Sequence, residues 1–324
     1  MTVDNLDEIP VIKAIDIESI PPASVQRYWL YLTSDGIGTP QYIPVIIVRG
    51  INDKHLVGIT AAIHGNELNG IPVIQRLIGK IDPTKLEGVL ICIPVTNVPA
   101  FLRKQRDFLD GKDLNRIMPG NQLGNESDIY AYRLISRVIN ELDYLIDLHT
   151  ASFGNINSFY VRANMNLPDV AQMACMLNPQ IIVHKKSEGT LRYAAEDLGI
   201  HAVTVEIGDP NRFQESMISN ALAGILNTLK GLGMIEGKMK SANQPPVECD
   251  GSYWLHTNQG GLVDVYPELA DFVEQGEVVA RVYNVFGDVL ETYQAPESGI
   301  VIGKNTYPVN QTGGRILHLG IPVD

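Results

Sequence analysis

Three residues of this chain have the types and the spacing of a metal site. His64 and Glu67 lie three residues apart, and His149 follows far downstream in an Asp-Leu-His-Thr segment. Two imidazoles and one carboxylate leave a fourth tetrahedral position open for water, which distinguishes catalytic zinc sites from structural ones. The pattern therefore predicts one Zn²⁺ per chain, held by His64, Glu67 and His149.

Both parts of this set follow apolar segments typical of buried strands. Residues 56 to 63 indicate a strand and the chain from Leu68 onward a helix, so the first pair lies in a strand-to-helix turn. His149 ends a second apolar run, and open α/β sheets bind ligands at such strand ends. Taken alone, His149 is better explained as a hydrogen-bonded side chain near a strand end. The His-x-x-Glu spacing is also common by chance.

Further polar residues lie between and after these candidate ligands. Asp113, Asn115 and Arg116 share a polar loop with glycines around it, and Arg106 lies just upstream. Glu206 ends another apolar strand. A carboxylate there is costly to bury unless it is paired or takes part in a reaction. For Glu206 alone, a helix cap or a salt bridge at the sheet edge is as good an explanation as catalysis.

In this order along the chain, these residues resemble the succinylglutamate desuccinylase and aspartoacylase family, zinc enzymes of the carboxypeptidase A type. The resemblance covers residues 25 to 235 and is most specific at the Asn-Arg pair and at the strand-terminal glutamate. It implies that His64, Glu67 and His149 hold the metal and that Glu206 is the general base.

The same resemblance implies roles for the loop residues. Asn115 and Arg116 match the residues that grip the substrate carboxylate, and Asp113 matches the acid that orients a metal-bound histidine. Arg106 matches the arginine that faces the scissile carbonyl, although its spacing to Asn115 varies within the family.

The chemistry of the residue types agrees with these roles. Zinc held by two imidazoles and a carboxylate lowers the pKa of bound water to about 7. Glu206 could take the water proton and return it to the leaving amine, and Arg106 could meet the negative charge on the carbonyl oxygen. The planar guanidinium of Arg116 can bind a carboxylate through two parallel hydrogen bonds, and the side-chain amide of Asn115 adds a neutral donor. The substrate is therefore predicted to be an anion.

Two other charged residues receive structural interpretations. Asp147 shares a strand face with His149 and could orient it, but we favour the interpretation that Asp147 only ends the strand. Arg192 lies near the start of a predicted helix and could reach the substrate. We favour a solvated charge on the helix surface.

The composition favours a cytoplasmic enzyme. The 25 Lys and Arg residues against 37 Asp and Glu give a net charge of -12, which disfavours nucleic acid and membrane surfaces as partners. Residues 1 to 8 are acidic where a signal peptide would be basic, and no apolar run approaches the length of a membrane span. The three cysteines have no paired spacing, and Cys92 lies in an apolar run typical of the core. A homo-oligomer is compatible with the sequence.

Strands and helices alternate over the first 237 residues, which we predict to be the catalytic domain. The expected strands are 43 to 49, 56 to 63, 88 to 95, 143 to 149, 180 to 184 and 201 to 207. The expected helices are 68 to 80, 126 to 141, 168 to 177, 190 to 199 and 214 to 232. An antiparallel strand is expected at 28 to 32. This alternation predicts an α/β fold with a mainly parallel mixed sheet and helices on both faces, which is also the zinc carboxypeptidase-like fold that the resemblance implies.

The helical pattern stops after a predicted linker at 237 to 246. Residues 247 to 324 contain short strands separated by glycine- and proline-bearing turns, which predicts a small all-β domain. The segments 273 to 280 and 295 to 301 resemble half-motifs of biotinyl- and lipoyl-like modules, but the hairpin at 284 to 287 lacks the lysine that would carry the cofactor. We expect this domain either to shield the mouth of the active site or to mediate assembly.

The prediction is therefore a zinc-dependent hydrolase that removes the acyl group from an N-acylated amino acid or a similar small carboxylate-bearing amide. Two alternatives stay open. A metallocarboxypeptidase would use the same metal, base and Asn-Arg pair on the C-terminal carboxylate of a peptide. A binding or assembly protein without turnover would keep the fold, although the complete set of ligands, base and arginines argues against it.

Overall fold

A large mixed sheet is the central element of the computed structural model, which describes residues 6–242 and 244–323. The predicted domains and linker also include residues 1–5, Asn243 and Asp324, which lie outside the described residues. The strands of the large sheet are β1 (Val11–Ile12), β2 (Ser24–Ser34), β3 (Pro40–Arg49), β4 (Leu56–Ala61), β5 (Val89–Ile93), β6 (Tyr144–His149), β7 (Asn155–Asn157), β8 (Phe159–Ala163), β9 (Ile181–His184), β10 (His201–Ile207), β11 (Val247–His256), β13 (Phe272–Val273), β16 (Gly299–Asn305) and β18 (Arg315–Pro322). A smaller sheet contains β12 (Gly261–Val265), β14 (Val278–Tyr283), β15 (Val289–Gln294) and β17 (Val309–Asn310).

Helices cover both faces of the large sheet. They are α1 (Gly70–Ile78), α2 (Val98–Arg103), α3 (Glu126–Arg137), α4 (Pro168–Met176), α5 (Leu191–Asp197) and α6 (Glu215–Gly231). One hydrophobic cluster unites α1, α4 and α6 with one face of the sheet, and a second unites α3 and α5 with the other face. Alternate residues of β5 enter the two clusters, as the period of a strand requires, and Cys92 is buried in the first. No helix within the described ranges is long and apolar enough to cross a membrane.

The centre of the large sheet is parallel and its flanks are largely antiparallel. The order is β1-β2-β3-β5-β4-β6-β10-β8-β9-β11-β18-β16-β13, with β7 paired to β16. Strands β5, β4, β6 and β10 run parallel, whereas β2 pairs antiparallel with β3, as predicted for the strand around residues 28 to 32. The predicted α/β fold with a mixed sheet is thus confirmed, but the expectation that the sheet is mainly parallel applies to its centre and not to its largely antiparallel flanks. Because β4, β6 and β10 are parallel neighbours, their carboxyl ends meet at one edge of the sheet.

The turn from β4 into α1 is fixed at several points. Ala62 adopts a left-handed conformation with φ 53°. A Cβ at Gly65 would lie 2.1 Å from the carbonyl carbon of Ala100, so the chain passes too close to α2 for a side chain. Asn97 Nδ2 donates to Ile63 O at 3.0 Å. These constraints hold the short segment that carries the first two candidate ligands.

Three elements near the sheet edge are absent from the sequence prediction. The structure adds α2 and the strands β7 and β8; β7 pairs with β16, and β8 lies antiparallel to β10. The apolar pattern of β8 is interrupted by Arg162 and preceded by a polar, asparagine-rich segment, which hides the strand. Its position beside β10 brings residues into the site that the sequence analysis did not include.

The strands after residue 247 divide between the two sheets, so the predicted small all-β domain is supported in part: the smaller sheet is separate, whereas the remaining strands join the large sheet. Strand β11 pairs in parallel with β9, with Val247 opposite Ile181, and β18, β16 and β13 extend the large sheet further. The other four strands form the separate sheet, in which β14 and β15 are the predicted hairpin around residues 284 to 287. The pairing with β9 covers a sheet edge that would otherwise present unpaired backbone groups.

Candidate metal centre and its cavity

The three predicted metal ligands lie together at the carboxyl ends of β4 and β6. His64 and Glu67 lie in the turn after β4, and His149 is the last residue of β6. One donor atom from each residue lies within 4.8 Å of the other two, and all three side chains are buried. The register explains the meeting, because β6 pairs with β4 on one side and with β10 on the other.

Both histidines direct Nδ1 to the Glu67 carboxylate. The distances are 2.9 Å from His64 Nδ1 to Glu67 Oε1 and 3.0 Å from His149 Nδ1 to Glu67 Oε2. On the outer side, His64 Nε2 lies 2.9 Å from Asp113 Oδ1, and His149 Nε2 lies 2.7 Å from Asp147 Oδ2. A carboxylate on the outer nitrogen keeps the proton there and leaves the Nδ1 lone pair available to a metal.

The donor set fits a divalent metal ion. His64 Nδ1 is buried and makes no hydrogen bond to any residue that the structure describes, although Glu67 is near. Two imidazole nitrogens and a carboxylate oxygen are ligands that Zn²⁺ accepts. A metal ion bound between His64 Nδ1 and the Glu67 carboxylate would give this buried nitrogen the partner that it lacks.

The electrostatics of the centre favour positive charge. Burial alone would lower the pKa of His64, but the charge of Glu67 and the hydrogen bond to Asp113 raise it. Burial also opposes protonation of His149, yet Asp147 and Glu67 raise its pKa well above the usual value. Burial would raise the pKa of Glu67, whereas the two imidazoles lower it well below its usual range. The field that favours protons on the imidazoles also favours a cation among them.

The contact with Asp147 corrects its sequence-based interpretation. Asp147 was expected only to end its strand, but it is fully buried and holds His149 Nε2, and Thr60 Oγ1 donates to its other oxygen at 2.7 Å. Residues i and i+2 of a strand point to the same face, which makes this contact possible. Each imidazole thus has its own carboxylate partner.

Arg106 lies between two carboxylates of the centre. Its Nη1 donates to Glu67 Oε1 at 2.8 Å and to Ser152 Oγ at 3.0 Å, and its Nη2 donates to Asp113 Oδ2 at 2.9 Å. Burial alone would lower the pKa of Arg106, but Glu67 and Asp113 raise it. Its guanidinium is therefore a fixed positive charge beside the candidate metal position, and its role toward a carbonyl stays a prediction.

The Asn-Arg pair lines the same cavity. Asn115 Oδ1 accepts a hydrogen bond from Leu191 N at 2.7 Å, and this bond holds the side-chain amide in one orientation. The Arg116 side chain is 77% exposed, and its Nε lies 3.4 Å from Asp113 Oδ2. Most of the Arg116 guanidinium is thus open to a ligand, and the predicted grip on a carboxylate stays a prediction.

Glu206 stands directly opposite His149 in the register of β10 and β6. It is buried, its Oε2 accepts from Asn157 Nδ2 at 3.0 Å, and its Oε1 lies 3.3 Å from Arg162 Nε. Both expectations for Glu206 meet here: the carboxylate is paired, and it faces the cavity of the metal centre. Its role as general base stays a prediction.

Three residues that hold Glu206 were missed by the sequence analysis. Asn157 and Arg162 contact its carboxylate, and Tyr160 OH accepts a short hydrogen bond from Arg162. All three belong to β7 and β8, the strands that were not predicted. The sequence does contain one indication of them: Arg162 lies within the apolar run Phe159–Ala163. A charge in an apolar strand requires a partner, so this arginine predicts a nearby carboxylate.

Arg192 is not the solvated surface charge that the sequence analysis favoured. It is 1% exposed, forms an ion pair with Glu196 one turn further along α5, and donates to Lys185 O. The first turn of α5 faces the cavity rather than the solvent, and helical periodicity alone does not show which neighbour covers that turn.

A cavity of about 550 Å³ joins these residues, a volume typical of small-molecule sites. Part of its lining carries the metal centre and the Asn-Arg pair. Another part comes from the last part of the chain, with Ser252, Tyr253, Trp254 and His256 from β11 and Arg315 and His318 from β18. The Trp254 and His318 rings are stacked at 5.0 Å.

Comparison with known proteins gives a family and a set of structural neighbours. The succinylglutamate desuccinylase/aspartoacylase catalytic domain matches residues 53–232. N-alpha-acetyl-L-2,4-diaminobutyric acid deacetylase of Halomonas elongata is 27% identical over 278 residues, covering 81% of this chain and 80% of that protein. The family and this relative are named for deacylases, which hydrolyse amides.

Two solved structures share the fold over nearly the whole chain. The product-bound ectoine utilization protein EutE from Ruegeria pomeroyi has a TM-score of 0.84 at 22% identity and covers 94% of this chain and 98% of its own. A succinylglutamate desuccinylase/aspartoacylase from Rhodobacter sphaeroides also has a TM-score of 0.84 at 22% identity, covering 95% of this chain and 98% of its own. Since the family match covers more than half of the chain, this protein belongs to the succinylglutamate desuccinylase/aspartoacylase family.

Proposed function

We propose that this protein is a zinc-dependent deacylase that hydrolyses the amide of an N-acylated amino acid or a similar small carboxylate-bearing amide. The observation that carries the proposal is the meeting of a two-histidine, one-carboxylate cluster with Glu206 and several arginines in one small cavity. Family membership supports the reaction type.

His64, Glu67 and His149 would hold the zinc ion. When bound there, zinc would act as a Lewis acid that activates water and polarises the amide carbonyl. Asp113 and Asp147 hold the outer nitrogens of the two imidazoles and so fix their orientation.

Glu206 would move the proton. Its carboxylate faces the cavity and accepts one hydrogen bond from Asn157, so it can take a proton from the attacking water. As the carbon–nitrogen bond breaks, the same proton passes to the leaving nitrogen, which departs as an amine and leaves the acyl group as a carboxylic acid. Arg162 holds the carboxylate in place from the side of β8.

The arginines would stabilise negative charge at two positions. Arg106 is fixed by carboxylates next to the metal centre and can meet the charge that develops on the carbonyl oxygen. The exposed guanidinium of Arg116 and the amide of Asn115 can bind the carboxylate of the substrate.

For the strands after residue 247, we propose the first of the two expected roles, shielding of the active-site mouth. Trp254, Arg315 and His318 line the same cavity as the candidate metal ligands. Such a wall favours a small amide over the end of a long peptide. This observation favours the deacylase over the metallocarboxypeptidase.

A substrate panel tests the proposal. The protein is loaded with zinc and assayed with N-acylated amino acids and with peptides that have free C-termini, before and after chelation. We expect hydrolysis of N-acylated amino acids that chelation abolishes and zinc restores. Peptide hydrolysis alone would indicate a carboxypeptidase, and zinc binding without any turnover would indicate a binding protein. Full turnover in the metal-free protein would contradict the proposal altogether.

The Asp147→Asn substitution should weaken zinc binding by about 10- to 100-fold, because the amide cannot hold the His149 Nε2 proton as the carboxylate does. Calorimetric titration of the metal-free variant measures the change. Asp169→Asn is a matched control, since Asp169 also lies beside a histidine, 3.7 Å from His201 Nε2, but in an exposed pair away from the cavity. Unchanged zinc affinity in Asp147→Asn would remove this carboxylate from the metal centre.

The Glu206→Gln substitution separates catalysis from structure. The amide keeps the shape and can still accept from Asn157, but it cannot take the water proton, so kcat should fall by roughly 100- to 10,000-fold. Zinc content should stay at that of the wild type. If Glu206 serves only as the partner of Arg162, the variant should instead lose thermal stability and keep a near-normal rate per folded molecule.

A further inference from the structure

Strand β7 joins the candidate active site to the last part of the chain. Asn157, the last residue of β7, donates from Nδ2 to Glu206 Oε2 at 3.0 Å. Within the described ranges, β7 pairs with β16 and with no other strand. The position of this donor therefore depends on a strand that follows residue 247, although Glu206 itself belongs to the parallel centre of the sheet.

Hydrogen bonds on both sides of β7 fix its register against β16. Ser158 N donates to Ile302 O at 2.9 Å, and the buried Ser158 hydroxyl donates to the same oxygen at 2.9 Å. At the other end, Thr306 N donates to Gly154 O at 2.8 Å. A shift of β7 along β16 would break these bonds, so the two strands behave as one unit.

Gly303 allows the Asn157 side chain to approach β16 closely. The two residues are directly opposite in the register, and Gly303 is buried. A Cβ at Gly303 would lie 2.6 Å from Asn157 Oδ1 and 2.9 Å from Ile156 O. Both distances are too short for a carbon atom, so the Asn157 amide occupies the volume that any side chain at position 303 would need. A glycine in a strand often marks such a close approach.

The amide of Asn157 has one orientation that suits both neighbours. An ionised carboxylate only accepts hydrogen bonds, so Nδ2 must face Glu206. The amide oxygen then faces Gly303, where the missing side chain leaves room for it. Asn157 is buried, so its side chain lies between the backbone of β16 and the Glu206 carboxylate.

Glu206 has a different partner at each carboxylate oxygen. Arg162 Nε lies 3.3 Å from Oε1, and Asn157 Nδ2 lies 3.0 Å from Oε2. The terminal torsion of a glutamate is soft, so a single contact leaves the plane of the carboxylate free to turn. Two contacts from different strands fix both the position and the plane of the group.

We propose that Asn157 is a positioning residue for proton transfer by Glu206, and that Gly303 holds Asn157 in place. The inference rests on the proposed deacylase function, in which Glu206 takes the proton of the attacking water. It gives the strands after residue 247 a second role besides shielding, because β16 places the proton acceptor. A displacement of a reacting group by about 1 Å is enough to lower a rate by roughly 100-fold.

The Asn157→Leu substitution keeps the approximate size of the side chain and removes the donor. Glu206 then keeps only its contact with Arg162, so kcat should fall by about 10- to 100-fold. KM should change little, because the substrate carboxylate is assigned to Asn115 and Arg116. Zinc content should equal that of the wild type, since the candidate ligands belong to the ends of β4 and β6.

Asn227→Leu is the matched control for the loss of a buried asparagine. Asn227 Nδ2 donates to Met176 O at 2.9 Å, where α6 packs near α4 and away from the cavity. This variant should lose thermal stability and keep a near-normal kcat per folded molecule. The same outcome for Asn157→Leu would mean that Asn157 is only structural, and it would overturn the proposal.

A double-substitution cycle shows whether Asn157 acts through Glu206. Glu206→Gln removes the proton acceptor, so Asn157→Leu should lower kcat little further in that background. A residue that acts independently of Glu206 would lower kcat by the same factor in both backgrounds. Equal factors would therefore overturn the proposal.

The Gly303→Ala substitution tests the step from β16 to Asn157. The added methyl group must displace the amide, so kcat should fall by about tenfold or more. The factor should be smaller when Asn157→Leu is already present, because the hydrogen bond to Glu206 is then absent. Gly36→Ala is the matched control, since a Cβ at Gly36 meets nothing within 4 Å, and it should keep the wild-type rate.

A crystal structure of Gly303→Ala gives a readout that does not need turnover. The Asn157 amide should be displaced, and its contact with Glu206 Oε2 should be lost; an unchanged contact would overturn the proposal. Thermal unfolding verifies that each variant is folded, and the cycle at Asn157 decides the proposal if Gly303→Ala does not fold. Near-normal kcat in Asn157→Leu would overturn the positioning role and leave the deacylase function intact. Absence of all turnover by the wild type would overturn the deacylase function instead.

Discussion

The Glu67 carboxylate is buried between the Nδ1 atoms of two histidines, and the rest of the site is arranged around this contact. A buried carboxylate is costly unless positive charge lies close to it. Two more carboxylates, Asp113 and Asp147, hold the outer sides of the imidazoles. The centre thus contains three carboxylates and one fixed positive charge, the guanidinium of Arg106. A divalent cation among the Nδ1 atoms and Glu67 would balance this charge. That requirement is the strongest physical argument for a metal at this position.

The parallel centre of the sheet makes the contact possible. The turn after β4 and the last residues of β6 and β10 lie side by side because these three strands run in the same direction and pair in register. The candidate metal ligands and the proposed proton acceptor can then come from residues far apart in the chain. Strands β11 and β18 continue the same sheet and contribute further residues to the lining of the cavity. The extended sheet is therefore the scaffold for the candidate metal centre and for this part of the lining.

The candidate ligands and the strands that carry them could be predicted from sequence because their signals are local. Each ligand follows a continuous apolar run, and parallel strands that alternate with helices must place their carboxyl ends at one edge. Asp147 was misjudged although its i, i+2 spacing to His149 already placed both on one face, since spacing does not show whether two side chains on a face make contact. Arg192 was misjudged because periodicity marks a helix face without identifying what covers it.

The residues missed by the sequence analysis depend on distant pairing. Arg162 reaches Glu206 only because β8 lies beside β10, and β8 has too short and too interrupted an apolar pattern to be recognised. Trp254 and Arg315 reach the cavity because β11 pairs with β9 and with β18, strands that lie far from it in the chain. No local pattern encodes these contacts, so this part of the cavity lining becomes visible only in three dimensions.

The most direct test of the central claim is anomalous diffraction at the zinc absorption edge from crystals of the zinc-loaded protein. The account predicts a single ion per chain, bound by His64 Nδ1, His149 Nδ1 and a carboxylate oxygen of Glu67, each at about 2.0 to 2.2 Å. An ion bound at other residues, or the absence of any anomalous peak at this cluster in a fully zinc-loaded crystal, would contradict it.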